Sequence, residues 1–286
     1  MIRLSASIFL CTLVGPLVLE AFQFHELPPG VQTRFLILFS LAIIFIALSL
    51  FLLAKSWSAE HLLAWLIVFL FCFYIGTTSG AFALSLASKT EPSIMQIIIG
   101  GISFQGAAIV LVVKFLRDYR LSWSDAFGFC HRSRGAMTVG AILGLAFVPV
   151  GRRLQELCAW LMVRMHMQPI AQEAVQALQR SNSWFGSLVL GIIAIILAPL
   201  AEEVVFRGIL YPTIRQAGFP RLALWSTSLL FALIHANAMS FVPLVVLALL
   251  LTLLYERTGN LLACILAHSL FNAMNFASFY LFPEKA

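Results

Sequence analysis

Two adjacent glutamates, Glu202 and Glu203, and an arginine four residues on, Arg207, stand at the end of a long apolar run around Leu197-Ala-Pro-Leu-Ala-Glu-Glu-Val-Val-Phe-Arg-Gly. A charged side chain at the centre of a membrane helix costs about 2.5–3.5 kcal/mol on insertion scales, so such residues need an internal reason to be there. Helix geometry supplies one for Glu203, which precedes Arg207 in the favourable i,i+4 orientation for an ion pair. The i+4 neighbour of Glu202 is Phe206, which leaves this carboxylate without a partner on its own helix and open to chemistry. A helix end where the charges simply meet water is the competing reading of this motif taken alone.

Two further constellations lie downstream. Phe231-x3-His235 sets an aromatic ring and a histidine on one helix face, and His268-x3-Asn272 does the same for a histidine and an amide, with Asn275 about one turn on. A lone histidine in a membrane helix is more often a packing or pore-lining group than a catalyst. Three segments each carrying such a set are harder to dismiss, because each polar group buried unpaired costs roughly 2–7 kcal/mol. Together the groups suit hydrolysis of an amide. A carboxylate in apolar surroundings can act as general base on water, and a histidine can hold that water or shuttle its proton. A second histidine and an asparagine amide can donate to the oxyanion of a tetrahedral intermediate. Two histidines and a carboxylate, here Glu202, His235 and His268, also make a catalytic zinc set, although the HExxH signature does not occur. The expectation is a reaction that needs no cofactor, with zinc as the alternative.

The elements that must position these residues are membrane helices. Of 286 residues, 61% are hydrophobic and 10% charged, and the mean hydropathy is +0.98. Soluble domains carry about 25% charged residues, so the chain reads as a polytopic membrane protein. Its formal charge of +6 comes from scattered basic residues with no dense run, which gives no case for nucleic acid. The five cysteines, Cys11, Cys72, Cys130, Cys158 and Cys264, show neither CxxC nor Cys/His metal spacing and read as small core residues.

A span needs about 20 apolar residues, and candidates fall at 4–22, 35–54, 62–86, 94–113, 136–150, 184–210, 222–235, 241–255 and 261–282. The first could be a signal peptide, but its long apolar stretch and poor cleavage site favour an uncleaved helix. The expected fold is thus an all-α membrane bundle of eight to nine transmembrane helices. It forms one continuous membrane domain, with N-terminal helices over 1–183 and the polar constellations confined to 184–286. Residues 170–179 read as an amphipathic surface helix. With nine spans and the N-terminus inside, eleven of the eighteen Lys and Arg fall on the inner side, which favours that orientation. At about 1.5 Å per residue from one shared face, Glu202 and His268 lie roughly 12 Å deep, Asn272 about 18 Å and His235 about 20 Å. Four polar groups then occupy one layer of the membrane.

Glu202-Glu203-x3-Arg207, Phe231-x3-His235 and His268-x3-Asn272, in that order on separate helices, resemble the CAAX-protease and bacteriocin-processing (CPBP) family of intramembrane endopeptidases. The flanking Pro199-Leu-Ala-Glu-Glu-Val-Val-Phe-Arg-Gly and Glu256-Arg-Thr-Gly-Asn are similar too, and Leu262 stands where many members have tryptophan. The resemblance implies an eight-helix-type membrane protease in which Glu202 activates water, His235 assists, and His268 with Asn272 stabilises the oxyanion. Glu203 and Arg207 would be the supporting ion pair. It also implies a membrane-anchored or lipidated protein or peptide as substrate, a lipid bilayer as surroundings and no nucleic-acid partner. The expected location is the plasma membrane of a prokaryote. A transporter with midplane charges and a non-catalytic scaffold or immunity protein are the competing classes. Crowding of the polar groups into the last third speaks against the first, and retention of all four candidate reactive groups against the second.

Overall fold

The computed structural model describes residues 94–129, 133–180 and 183–281, with isolated helical positions between 29 and 44. The spans expected at 4–22 and 62–86 lie outside the described residues, and the one at 35–54 lies largely outside them. All the regular structure among the described residues is helical. The chain forms two compact units, Met1–Asp118 and Tyr119–Ala286. The first contributes helix α1, Ile94–Asp118, which contains the span expected at 94–113.

The second unit carries every residue singled out above for chemistry. It opens with a short helix α2, Trp123–Phe127, whose first turn is capped by the Ser122 hydroxyl accepting the Asp125 N–H. Helix α3, Ser133–Arg164, runs 32 residues, past the end of the span expected at 136–150 and through Arg152-Arg153. The charges there do not break the helix, because Arg153 and Glu156 project outward and pair with each other one turn apart. Helix α4, Glu173–Arg180, overlaps the amphipathic segment expected at 170–179 and buries Ala177 and Leu178. Next come α5, Trp184–Gln216, a helix of 33 residues, then α6, Pro220–Leu233, α7, Ala238–Thr258, and α8, Leu261–Leu281.

Four of these described helices, at Arg134–Arg164, Trp184–Gln216, Ala238–Thr258 and Leu261–Leu281, are long and apolar enough to cross a membrane. Helix α6 is a correction to the expected span at 222–235. Its 14 residues rise about 21 Å, short of a hydrocarbon core of about 30 Å. It stops because the backbone turns at Ile234–Ala236, where Ala236 adopts φ 47°, and Asn237 then caps α7 by accepting the Ser240 N–H. His235 therefore sits in a turn rather than on a helix.

Helix α8 is the centre of the unit. It lies on α3 along Gly140 and Gly144, where an added Cβ would come within 2.4 Å of the Ala263 carbonyl oxygen and 2.3 Å of the Ala267 one. Small residues four apart thus let two backbones meet directly. Phe147 and Phe271 continue the seam with ring centroids 5.4 Å apart. On another side α8 meets α7, where the Cys264 thiol donates to the Leu251 carbonyl, and Leu247, Leu251, Ala263 and Ala267 are fully buried.

Candidate active site

Helix α5 carries the glutamates, and it is not one regular helix. Two π-helical stretches, Ile193–Leu197 and Val204–Leu210, bracket the α-helical turn Ala198–Glu203. Each is succeeded within two residues by a proline, Pro199 and Pro212. The order has a physical reason. Proline offers no N–H, and its ring collides with the carbonyl four residues back. Widening the preceding turn to i→i+5 bonding removes that collision, as when Ala198 N–H donates to Ile193 O and Tyr211 N–H donates to Phe206 O. Each widened turn shifts the rotational phase of the downstream helix by one residue, roughly 100°.

That phase aims Glu203 inward. Its side chain is fully buried, as is that of Arg207, and the Arg207 guanidinium donates to Glu203 Oε1 at 2.7 Å. The other two guanidinium nitrogens are also placed. One reaches the Ala248 carbonyl at 3.1 Å, and Nε points to the Thr252 hydroxyl at 3.4 Å. The plane lies over the Phe231 ring, 4.9 Å from its centroid. A buried arginine so engaged satisfies the rule that buried charges are paired and hydrogen-bonded.

The same oxygen of Glu203 receives a second donor from α8. His268, buried like Glu203, places Nδ1 2.9 Å from Glu203 Oε1. A carboxylate only accepts, so Nδ1 carries the proton and the ring orientation is fixed. The opposite nitrogen, Nε2, then faces Glu202 Oε2 at 3.9 Å, beyond direct hydrogen bonding. Glu202 is 13% exposed while Glu203, Arg207 and His268 are closed off, so Glu202 is the member of the cluster with an open side.

His235 joins through Phe231. Its Nδ1–H donates to the Phe231 carbonyl at 2.7 Å, filling one of the acceptors that every helix C-terminus leaves open. This leaves Nε2 as the acceptor of the neutral ring, the form that can take a proton. The Phe231 ring stands 4.9 Å from the His235 ring and 5.7 Å from that of His268, and it meets Phe206 edge-on at 5.3 Å. Asn272, one turn beyond His268 on α8, donates one amide N–H to the Ala194 carbonyl at 2.8 Å and keeps a second N–H.

Glu202, Glu203, Arg207 and His268 are thus in one cluster, with His235 linked to it by an aromatic ring and Asn272 tied to the first π-helical turn. Thr252 and the Ala248 carbonyl escaped sequence reasoning, because a threonine in an apolar helix is unremarkable until an arginine reaches it. Gly140-x3-Gly144 was readable as a close-packing pattern. A zinc ion needs ligands near 2.0–2.2 Å. Among the described residues no group of three His, Cys, Asp or Glu side chains is arranged to hold one, and the Nδ1 atoms of both histidines are already committed.

Residues 184–274, about a third of the chain, match the model of the family described as "Type II CAAX prenyl endopeptidase Rce1-like". This is the stretch whose motifs carry the family resemblance. The chain is also 36% identical over 83 residues to the uncharacterised protein YpbD of Bacillus subtilis (strain 168). That match covers 28% of this chain and 40% of the relative, so the chain spans less than half the length of the curated relative it matches. No solved structure matches. Four apolar helices and the family match make this an integral membrane protein.

Proposed function

We propose that the protein is an intramembrane endopeptidase of CAAX type, cutting a peptide bond in a membrane-anchored or lipidated protein, in the plasma membrane of a prokaryote. The observation that carries this reading is His268 held between two glutamates, Nδ1 on Glu203 and Nε2 facing Glu202. The Rce1-like match over the same residues supports the reaction class.

In the proposed reaction Glu202 takes a proton from water while the water oxygen attacks the scissile carbonyl carbon. His235, with Nε2 free, positions that water and shares its proton. The carbonyl oxygen becomes an oxyanion, stabilised by the second N–H of Asn272 and by His268 in its doubly protonated form, which keeps Nδ1–H on Glu203 and donates Nε2–H to the oxyanion. Collapse of the tetrahedral intermediate breaks the C–N bond, and the proton held by Glu202 passes to the leaving amine. Glu203 and Arg207 do not touch the reacting atoms in this scheme; they hold the His268 ring. No step runs through a metal.

The test uses purified protein in detergent with a prenylated CAAX-type peptide and a general peptide library. Wild type should cleave at a defined bond, and Glu202→Ala should not. Metal analysis of the active protein accompanies it. Stoichiometric zinc, with activity lost to a chelator and restored by zinc alone, would overturn the glutamate mechanism. Wild type that cleaves nothing in either set would sink the protease reading in favour of a non-catalytic scaffold.

A further inference from the structure

The backbone of the first π-helical turn leaves one carbonyl without a donor on its own helix. In an α-helix the Ala194 oxygen would receive Ala198 N–H, but that group donates to Ile193 instead. In a continued π-helix the donor would be residue 199, which is proline. Neither register serves Ala194. Backbone acceptors shut away from water are nearly always satisfied, and this half-buried one takes its donor from across the helix interface, Asn272 Nδ2 at 2.8 Å.

We infer that Asn272 is a positioning residue for the reaction proposed above, acting through the Ala194 carbonyl to hold the π-helical turn that sets the rotation of Glu202. Three observations converge on this role. The turn lies five residues before Glu202, so a change of one residue in its register turns the carboxylate by roughly 100° about the helix axis. Asn272 lies one helical turn from His268, so the same bond fixes α8 axially where His268 must meet both glutamates. Gly191, just upstream of the turn, packs against Phe276, just beyond Asn272; a Cβ there would lie 2.9 Å from that ring, so the two helices are in register on both sides of the bond. The second amide N–H stays available to the substrate, and the two duties of Asn272 are separable.

They separate by restoring the missing donor. Pro199→Ala returns an N–H at the next rung of the π-helical ladder, where it can reach Ala194 O without Asn272. The inference rests on the protease reading only for its kinetic arm. Asn272→Ala is expected to lower the thermal midpoint in detergent by several degrees and kcat on the prenylated peptide by about 10³ or more, of which about 10² or more is the lost oxyanion donor and at least tenfold is lost positioning. Adding Pro199→Ala should recover most of the midpoint and at least a tenfold part of kcat. Pro199→Ala alone is the control: kcat near wild type shows that the π-helical register persists without the proline ring, and recovery of neither in the double variant then overturns the inference. Where Pro199→Ala alone loses kcat, the label distance below decides. Recovery of the midpoint without kcat also overturns it, since Asn272 would then matter only by touching the oxyanion.

A second measurement covers the case in which Pro199→Ala fails to fold. Nitroxide labels at Leu188→Cys on α5 and Met274→Cys on α8, both at exposed positions, in a background without the five native cysteines, report the distance between the upstream half of α5 and α8. Asn272→Ala should shift or broaden that distance by several ångström, and an unchanged distribution overturns the inference. If wild type turns over no substrate, the protease reading fails instead, and the midpoint rescue with the label distance decides this one.

Discussion

Helices α5 and α8 meet at the candidate site and are built in opposite ways. Helix α8 is a regular 21-residue helix whose place is fixed from outside, by a backbone-to-backbone seam with α3 and a packed face against α7. Helix α5 is deformed twice from within, and each deformation is matched to a proline. The regular helix supplies a reference against which the irregular one is rotated. A site of this kind needs one partner that is stiff and one whose phase is adjustable by single residues. Even the two glutamates differ accordingly: Glu203 is locked to Arg207 and His268, and Glu202 retains an open side.

The largest expected effect comes from the open member. Glu202→Gln keeps shape and removes the base, and should lower kcat by about 10²–10⁴ with a thermal midpoint within a few degrees of wild type. Progress curves on the prenylated peptide, with a melting curve on the same sample, measure both. Loss of folding as severe as in Glu203→Gln would erase the distinction between the two carboxylates.

For the locked member the loss should appear in stability. Glu203→Gln leaves the buried Arg207 charge uncompensated, which costs about 3–5 kcal/mol. Expression level and midpoint in detergent would reveal it, and restoration by a compensating Arg207→Met would identify the unpaired charge as the cause. An unchanged midpoint in Glu203→Gln would show that the pair contributes little.

A smaller effect probes the stiff partner. Gly144→Ala places a methyl 2.3 Å from the Ala267 oxygen, one residue before His268, so α8 must move off α3. Overpacking of this sort costs about 1–3 kcal/mol. The expected result is a lowered midpoint together with a several-fold loss of kcat, whereas Gly135→Ala, which meets nothing within 4 Å, should change neither.

Smallest of all should be Thr252→Val. Its hydroxyl is one of several partners of Arg207, at the long distance of 3.4 Å, and a net hydrogen bond contributes about 0.5–1.5 kcal/mol. A midpoint shift larger than that of Glu203→Gln would mean that the arginine depends on this contact more than on Glu203.

Much of this was legible in the chain itself, for identifiable reasons. Charges and histidines inside apolar runs are costly, so Glu202, Glu203, Arg207, His235, His268 and Asn272 stood out by type, and i,i+4 spacing gave the Glu203–Arg207 pair directly. The helical fold came from apolar length. Register was the failure. Nothing in the hydropathy of residues 184–210 distinguishes α from π bonding, and although Pro199 and Pro212 were visible, a proline alone does not decide it, since Pro149 sits inside the regular α3. The same limit placed His235 on a helix face, because apolar residues continue through Ile234 and the turn is made by backbone conformation at Ala236. The second bond of Glu203, to His268, joins residues 65 apart in sequence and depends on packing that no local pattern encodes.

Membranes hold voltage, and voltage acts on charge. One elementary charge carried across a bilayer feels about 2.3 kcal/mol per 100 mV. Glu203 and Arg207 carry opposite charges 2.7 Å apart, so together they offer the field a short dipole and no net charge, on the order of 0.2 kcal/mol per 100 mV even if aligned with the membrane normal. The scaffold of the site is therefore blind to the energised state of the membrane, and Glu202 remains the carboxylate on which the potential can pull.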